Sequence, residues 1–351
     1  MTDSHAAPLR AQDTLMHTEA GEAGAAVGRF LDANATALAR LGASLRAAPP
    51  AVVVTVARGS SDHAATYGKY LFETLLGVPT ATVAPSVSSV YAAPVAAGAK
   101  LCVAISQSGR SPDLLAAVEA QAASGAFVVA LVNDAASPLA GLADEVLPLM
   151  AGPELSVAAT KSCIASLAGL AALAAAWSDD ADLHAGLAAL PEQLPRAFAL
   201  DWGAALPLLM DARNLFVIGR GYGYGIAQEA ALKLKETCAL HAEAFSAAEV
   251  KHGPMAIVGA GFPVIGFATS DKAGDAVREM AKAFVARGAG LCLADAAGDN
   301  PLALLPAIRT HPATEPILML QSFYRMAARL SVARGLNPDA PPHLNKVTNT
   351  L

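Results

Sequence analysis

The sequence predicts an α/β protein of two tandem domains, each a three-layer sandwich in which helices flank a parallel sheet. Three observations support this fold class. Short β-branched runs alternate with longer Ala- and Leu-rich stretches, the pattern repeats at a constant offset, and the composition is strongly apolar. Hydrophobic residues make up 54% and charged residues 15% of the 351 residues, which is enough for two domains with cores of their own.

Three predicted strands recur along the chain with a constant offset of 162 residues. This regularity predicts two copies of one domain, each built from βαβ units. We expect an N-terminal helical arm over 1–35, a first domain over 36–180, a second over 196–338 and a C-terminal tail over 339–351. A polar, Pro-bearing linker joins the two domains. The matched segments are 53–59 with 215–221, 102–105 with 264–267, and 126–133 with 288–295.

A hydroxyl-rich loop follows the second matched strand of the first copy. The apolar run 101–105 predicts a buried strand, and Pro112 favours the first turn of a helix. A strand–loop–helix unit leaves free N–H groups at the helix N-terminus, where an anion binds well. The serine loop between them, Ser106-Gln107-Ser108-Gly109-Arg110-Ser111, therefore predicts either a phosphate site or an ordinary helix capped by serine.

The corresponding loop of the second copy has lost this chemistry. It reads Ala268-Thr269-Ser270-Asp271, in which the Asp271 carboxylate would repel a phosphate. We therefore expect only the first copy to bind one. Ligands of parallel sheets bind beyond the carboxyl ends of the strands, and both the serine loop and Ser60-Ser61 follow such ends.

Composition excludes several classes of function. A net charge of -6 argues against nucleic-acid binding, which needs a basic face. The four cysteines lie far apart without a CxxC pair, so a metal cluster is not expected. The uncharged run 162–178 is short for a membrane span and is interpreted as a buried helix. No signal peptide is recognised, and we expect a soluble, cytoplasmic protein.

The second copy carries a dense polar block that has no counterpart in the first. It comprises 219–221, 229–236, 241–243 and 249–254, the last reading Glu249-Val250-Lys251-His252-Gly253-Pro254. Together with the serine loop, this block resembles the sugar isomerase (SIS) domain family, in particular the isomerase half of the glutamine–fructose-6-phosphate aminotransferases. The resemblance runs from about residue 35 to the C-terminus. It implies two tandem SIS domains of flavodoxin-like architecture.

The resemblance also implies a site drawn from both copies. The residues implied to bind the substrate phosphate are Ser60, Ser61, Ser106, Gln107, Ser108 and Ser111. Those implied to lie near the sugar are Val157, Ala159 and Lys233, and Ala159 stands where the family has a serine. The implied catalytic residues are Glu236 for proton transfer, His252 for ring opening and Lys346 for a Schiff base with a keto sugar.

The chemistry of these residue types agrees with those roles. Aldose–ketose interconversion needs one carboxylate that takes and returns a proton between C1 and C2, and Glu236 can do this. Lys233 lies three positions earlier on the same helical face, where its ammonium would keep the carboxylate ionised. A histidine titrates near neutrality, as ring opening requires. Glu229 is interpreted as an i,i+4 partner of Lys233 on a surface helix.

The sequence predicts an enzyme that acts on a phosphosugar. The similar aminotransferases carry an N-terminal glutaminase domain that begins with a nucleophilic cysteine after the first Met. This chain has Thr2 there and reaches the first SIS domain within about 35 residues, so glutamine-dependent synthesis is not expected. We expect a glucosamine-6-phosphate deaminase that needs no metal or organic cofactor. The alternatives are a phosphosugar aldose–ketose isomerase, an aminotransferase without a glutaminase domain, and a non-catalytic sugar-phosphate sensor. The resemblance implies a homodimer, because the family's histidine loop can reach the neighbouring subunit.

Overall fold

Two parallel sheets form the framework of the protein, whose computed structural model describes residues 9–346. The first sheet has the strand order β2-β1-β3-β4-β5, which is the flavodoxin-like order. The second has the order β7-β6-β8-β9. The predicted fold class is confirmed. The strands are β1 (Val52–Val56), β2 (Thr80–Thr82), β3 (Lys100–Ser106), β4 (Phe127–Val132), β5 (Glu145–Pro148), β6 (Asn214–Gly219), β7 (His241–Ser246), β8 (Pro263–Ala268) and β9 (Gly290–Asp295).

The helices cover both faces of each sheet and connect its strands. Three further short segments, Ala11–Asp13, Glu249–His252 and Pro254–Ile257, are 3-10 helices. The α-helices are α1 (Leu15–Gly21), α2 (Ala23–Ala47), α3 (Ser60–Leu76), α4 (Ser86–Ser89), α5 (Pro112–Ala123), α6 (Pro138–Leu142), α7 (Lys161–Ser178), α8 (Ala181–Ala199), α9 (Ala205–Leu209), α10 (Tyr222–Cys238), α11 (Lys272–Ala286) and α12 (Glu315–Ala333).

The internal repeat predicted from the sequence is present in the structure. Strands β6, β8 and β9 occupy the places in the second sheet that β1, β3 and β4 occupy in the first. Helix α10 follows β6 as α3 follows β1, at the same offset in the chain. The copies differ at the far edge, where, among the described residues, the second sheet has no strand equivalent to β5 and keeps a single bridge between Ala294 and Leu305.

Alternate residues of the strands belong to different cores. Cys102 and Ala104 of β3 face α5, whereas Leu101, Val103 and Ile105 face the other side. The residues on this second side of the first sheet form one core with those on the facing side of the second sheet. Helices α2, α3, α7, α8, α10 and α12 lie between the two sheets and contribute to this core. The expectation that each domain has a separate core is therefore wrong. Only the outer faces have cores of their own, against α5 and α11.

A close contact between α3 and α10 joins the two domains. Gly225 of α10 lies against the backbone of His63 and Tyr67, and a Cβ at this position would overlap both. The absence of a side chain therefore lets the two helices approach until their backbones touch. Because α3 and α10 both start at a strand's carboxyl end, this contact brings the polar residues of both domains to one place.

Two segments of uncertain character in the sequence are both helices. The uncharged run forms α7, which has the length and composition of a membrane span, but 94% of it is buried within the structure. The prediction of a buried helix is confirmed. The Pro-bearing segment between the domains is α8, which begins after the Asp180 cap and contains Pro191 and Pro195. It packs in the shared core, so the expected linker is a structural helix.

Candidate active site

A cavity of about 330 Å³ opens at the carboxyl ends of β1 and β3 and is closed on the other side by α10 of the second domain. All the predicted site residues except His252 line it, so the structure brings together residues that are far apart in the sequence. The lining residues are Arg58, Gly59, Ser60, Ser61, Ile105, Ser106, Gln107, Ser108, Ser111, Leu114, Val157, Ala159, Lys233, Glu236 and Lys346.

Two helix N-termini face one end of the cavity. Helix α3 starts after Gly59, whose φ of 55° lies in the left-handed region that glycine tolerates, and α5 starts after Ser111. Neither helix has a hydrogen bond from its N-cap side chain, so no N-cap oxygen covers the positive end of either helix dipole. The Ser61 and Asp62 N–H groups of α3 donate to the Arg58 and Gly59 carbonyls, and Pro112, the first residue of α5, has no N–H. The hydroxyls of the serine loop surround the same end. The arrangement suits an anion with several acceptor oxygens.

The serine loop is held in shape by its own residues. The Gly109 N–H donates to Ser106 Oγ at 2.9 Å. Gly109 has a φ of 64°, and a Cβ there would overlap the Ser137 side chain, so the loop needs glycine at this position. Ser111 occupies the N-cap position of α5, but its hydroxyl makes no cap bond. The ordinary-cap alternative is therefore wrong for this helix.

The equivalent position in the second domain is filled by carboxylates of the protein itself. Asp271 caps α11 by accepting hydrogen bonds from the Ala273 and Gly274 N–H groups, each at 3.1 Å. The buried Glu315 accepts a hydrogen bond from the Ser270 N–H at 2.7 Å. These carboxylates occupy the donors that an anion would use. The expectation that the second copy lacks an anion site agrees with this geometry.

Glu236 reaches the cavity from α10 and is held by a buried lysine. Lys233 Nζ donates to Glu236 Oε2 at 2.5 Å and lies 3.5 Å from Glu229 Oε1. The Lys233 side chain is 1% exposed, whereas that of Glu236 is 20% exposed and remains accessible. Burial acts to lower the pKa of Lys233, but the two carboxylates outweigh it and raise the pKa, so the side chain stays charged.

Glu229 is completely buried, and its interpretation as a surface residue is wrong. Its Oε2 lies 3.0 Å from His63 Nδ1, and its Oε1 accepts a hydrogen bond from Tyr324 Oη at 3.1 Å. Burial raises the pKa of Glu229, but Lys233 and His63 more than compensate and leave it below its usual value. Since His63 lies on α3 and Tyr324 on α12, Glu229 connects three elements behind the cavity.

A segment between β5 and α7 forms the third wall and holds the C-terminal lysine. Its Glu154 accepts hydrogen bonds from the Thr160 and Ser162 N–H groups at 3.0 and 3.1 Å. Lys346 Nζ donates to Ser156 O at 2.7 Å and lies 3.4 Å from Glu154 Oε2. Glu154 therefore fixes both the wall, which includes Val157 and Ala159, and the lysine. The described residues end at Lys346.

The N-terminal arm supports this wall from behind. Glu19 of α1 accepts hydrogen bonds from the Leu155 and Ser156 N–H groups. Asp339, the first residue of the C-terminal tail, accepts hydrogen bonds from the Leu15 and Met16 N–H groups at the start of α1, each at 2.7 Å. The two ends of the described chain thus meet beside the cavity.

His252 is the predicted residue that the structure does not bring to the cavity. It ends the 3-10 helix Glu249–His252, is exposed, and does not line the cavity. The sequence predicts a turn at this residue, and the structure has one turn of 3-10 helix there. Among the described residues, its imidazole therefore lies outside this cavity.

Sequence reasoning missed four residues that build the site. Arg58 lines the cavity, Glu154 anchors its third wall, and His63 and Tyr324 bind Glu229. The signal for Arg58 was its place between β1 and Ser60-Ser61. The other three give no local signal, because their partners come from distant parts of the chain.

Fold and site together define a tandem α/β protein with a cavity that is lined by the serine loop and two helix N-termini of the first domain and by a lysine–carboxylate pair from the second. The SIS domain family matches residues 50–176 and 208–334, and the chain belongs to this family. The match covers both sheets and falls on the two copies that the repeat predicted.

Two relatives and one more distant structure illustrate the relationship. The chain is 37% identical over 313 residues to a glutamine–fructose-6-phosphate aminotransferase (isomerizing) from Aeropyrum pernix, covering 84% of this chain. The chain spans about half the length of such relatives, 50% in this case. A provisionally assigned phosphosugar isomerase from Silicibacter pomeroyi is 45% identical, with a TM-score of 0.87 over 93% of this chain and 100% of that one. A glucosamine-6-phosphate deaminase from Thermotoga maritima shares the fold, with 20% identity and a TM-score of 0.75 over 96% of this chain and all of that one.

Proposed function

We propose that this protein is a glucosamine-6-phosphate deaminase, which converts glucosamine 6-phosphate and water to fructose 6-phosphate and ammonia. The observation that carries the proposal is the cavity in which the uncapped N-termini of α3 and α5 face one end and the Lys233–Glu236 pair faces the other. The first end suits the phosphate and the second suits proton transfer on the sugar. The similarity to isomerizing aminotransferases, which form the same carbon–nitrogen bond, supports an amino sugar.

The phosphate binds at the serine loop in this proposal. Hydroxyls of Ser61, Ser106 and Ser111 donate to its oxygens, and the positive ends of the α3 and α5 dipoles face it. Ser60, Gln107 and Ser108 complete the cradle. The sugar then extends towards Val157, Ala159 and Lys233. Ala159 offers no hydroxyl, so the wall contacts this part of the sugar without a side-chain hydrogen bond.

The reaction needs one proton-transferring carboxylate and no external oxidant. Opening of the ring breaks the C1–O5 bond and gives an aldehyde at C1. Glu236 takes the proton from C2 and returns it to C1, while the amine nitrogen loses a proton and O1 gains one. C1 is thereby reduced and C2 becomes an imine. Water adds to this imine and ammonia leaves, which gives the ketone of fructose 6-phosphate.

Two further residues act at the edges of the site. Lys346 lies beside the sugar end and carries an ammonium that, once it loses a proton, can form a Schiff base with a keto sugar. We propose that His252 opens the ring in the cavity of a second subunit, since it is exposed and lies outside its own cavity. The functional unit is then a homodimer. The cytoplasmic location stays a prediction.

A phosphosugar aldose–ketose isomerase is the second candidate. The similarity at 45% identity to a provisionally assigned phosphosugar isomerase favours it, and Glu236 would perform the same C2-to-C1 transfer on a hydroxy sugar. The two candidates differ only in the group on C2, an amine or a hydroxyl. No metal or organic cofactor enters either scheme.

Product analysis by NMR separates the candidate functions. The protein is incubated with glucosamine 6-phosphate without glutamine, and in parallel with glucose 6-phosphate and tagatose 6-phosphate. A deaminase yields fructose 6-phosphate and ammonium from the first sugar alone. An isomerase converts a hydroxy sugar and leaves glucosamine 6-phosphate intact, which would contradict the proposal. Binding of all ligands with no conversion would indicate a sensor.

A further inference from the structure

Arg58 is the cation of the cavity that the reaction scheme leaves unused. It follows the carboxyl end of β1, directly before Gly59 and the N-terminus of α3, and it lines the cavity. Its side chain is 52% exposed, so the guanidinium is accessible to a ligand. The other two lining cations, Lys233 and Lys346, lie at the sugar end.

The position of the Arg58 guanidinium is fixed by the helix that follows the serine loop. Its Nε and Nη2 donate to Asp113 Oδ2 at 2.9 and 2.6 Å. Asp113 is the second residue of α5 and is 1% exposed, so the guanidinium lies against the first turn of that helix. These bonds use two of the five N–H groups of an arginine. The other N–H groups of Arg58 lie beside the end of the cavity where the proposed phosphate would bind.

The second copy keeps both residue types but pairs them differently. At the constant offset of 162 residues, Arg220 and Asp275 correspond to Arg58 and Asp113, but Asp275 is the fourth residue of α11 whereas Asp113 is the second residue of α5. There, Asp275 accepts a hydrogen bond from Arg278 at 2.9 Å, and the helix N-terminus is capped by Asp271. Thus the hydrogen bonds between the arginine after the strand and the aspartate of the next helix, Arg58 and Asp113, occur in the copy whose helix N-terminus is not capped by a side chain.

We propose that Arg58 binds the phosphate group of the substrate, as a guanidinium preset by Asp113. The inference rests on the proposed phosphosugar site and adds a specificity residue to it. Arginine suits this role because its planar fork matches phosphate oxygens, and a preset fork loses little conformational freedom on binding. Hydroxyls and N–H groups then enclose the phosphate from the loop side, and Arg58 contributes the positive charge.

Calorimetric titration of the full chain with fructose 6-phosphate and with inorganic phosphate tests this role without requiring turnover. Arg58→Gln should raise the Kd of both ligands at least about tenfold, the effect of losing a hydrogen bond between charged groups. Arg58→Lys should weaken both by a smaller factor, because it keeps the charge and loses the fork. Arg220→Gln is the matched control and should leave both affinities unchanged.

The outcomes separate this inference from the proposed function. Unchanged phosphate affinity in Arg58→Gln would overturn the inference, as would a loss confined to fructose 6-phosphate, which would place Arg58 on the sugar. If Arg58→Gln does not fold, Arg58→Lys decides, and an affinity equal to wild type would overturn it. A wild-type protein that binds neither ligand would contradict the proposed function itself, and this inference with it.

Discussion

At the residue scale, the central feature is a buried lysine between two carboxylates. The spacing of Lys233 and Glu236 on one helix was enough to predict their contact, because residues three apart on a helix are neighbours. The same rule also paired Glu229 with Lys233, which lie 3.5 Å apart, but the placement of Glu229 on the surface was wrong. Spacing along a helix says which side chains meet and not which face is buried, and the burial of Glu229 depends on His63 and Tyr324 from other helices.

Removal of the buried ammonium should destabilise the protein strongly. Lys233→Met leaves Glu229 buried without its main cation, and breaking a buried pair in this way costs about 3–5 kcal/mol. We expect a marked fall in Tm and loss of turnover. The double variant Glu229→Gln, Lys233→Met removes both charges and should recover part of the Tm without activity. A double variant less stable than Lys233→Met alone would show that the pair does not act as described.

At the scale of elements, the strands of the repeat could be predicted from the sequence, whereas the shortest elements and the segment 154–161 could not. The apolar runs of β1, β3 and β4 and their repeats were identified from the sequence, since a buried parallel strand is a nearly continuous apolar run. Four-residue elements such as α4 and β5 carry too few positions for a pattern. The segment 154–161 gave no periodic signal, because its conformation is set by hydrogen bonds to Glu154 and Glu19.

The serine loop offers a prediction at this scale. Gly109→Ala adds a Cβ at a positive φ and against Ser137, so the loop must shift and its donors must leave their positions. We expect the affinity for fructose 6-phosphate to fall at least about tenfold, as when a charge-assisted hydrogen bond is lost. Gly141→Ala is the control, because that glycine lies in open space on α6. Equal affinities in the two variants would contradict the role of the loop.

At the scale of the whole molecule, the two domains form one structure around a shared core. The repeat in the sequence predicted two copies of a domain but could not show how they face each other. Gly225 allows α10 to contact α3, and this contact places Glu236 of one domain opposite the serine loop of the other. The arrangement explains how duplicated domains with diverged loops both contribute residues to the lining of one cavity.

The assignment of His252 to a second subunit is tested by mixing two inactive variants. Glu236→Gln and His252→Asn are co-expressed with different tags, and the hybrid dimer is isolated along with the statistical mixture. One site of each hybrid keeps Glu236 and receives the partner's intact histidine, so the mixture should recover about a quarter of wild-type activity. If His252 acted within its own subunit, no site would hold both groups and the mixture would stay inactive.

Release of ammonia from glucosamine 6-phosphate, measured without glutamine, tests the central claim most directly. The wild-type protein should release one ammonia for each fructose 6-phosphate formed. Glu236→Gln should release none while still binding fructose 6-phosphate, because the amide cannot take the C2 proton. Glu243→Gln, which changes an exposed carboxylate on β7, should match the wild type. Ammonia release by Glu236→Gln at the wild-type rate, or none from the wild type, would contradict the account.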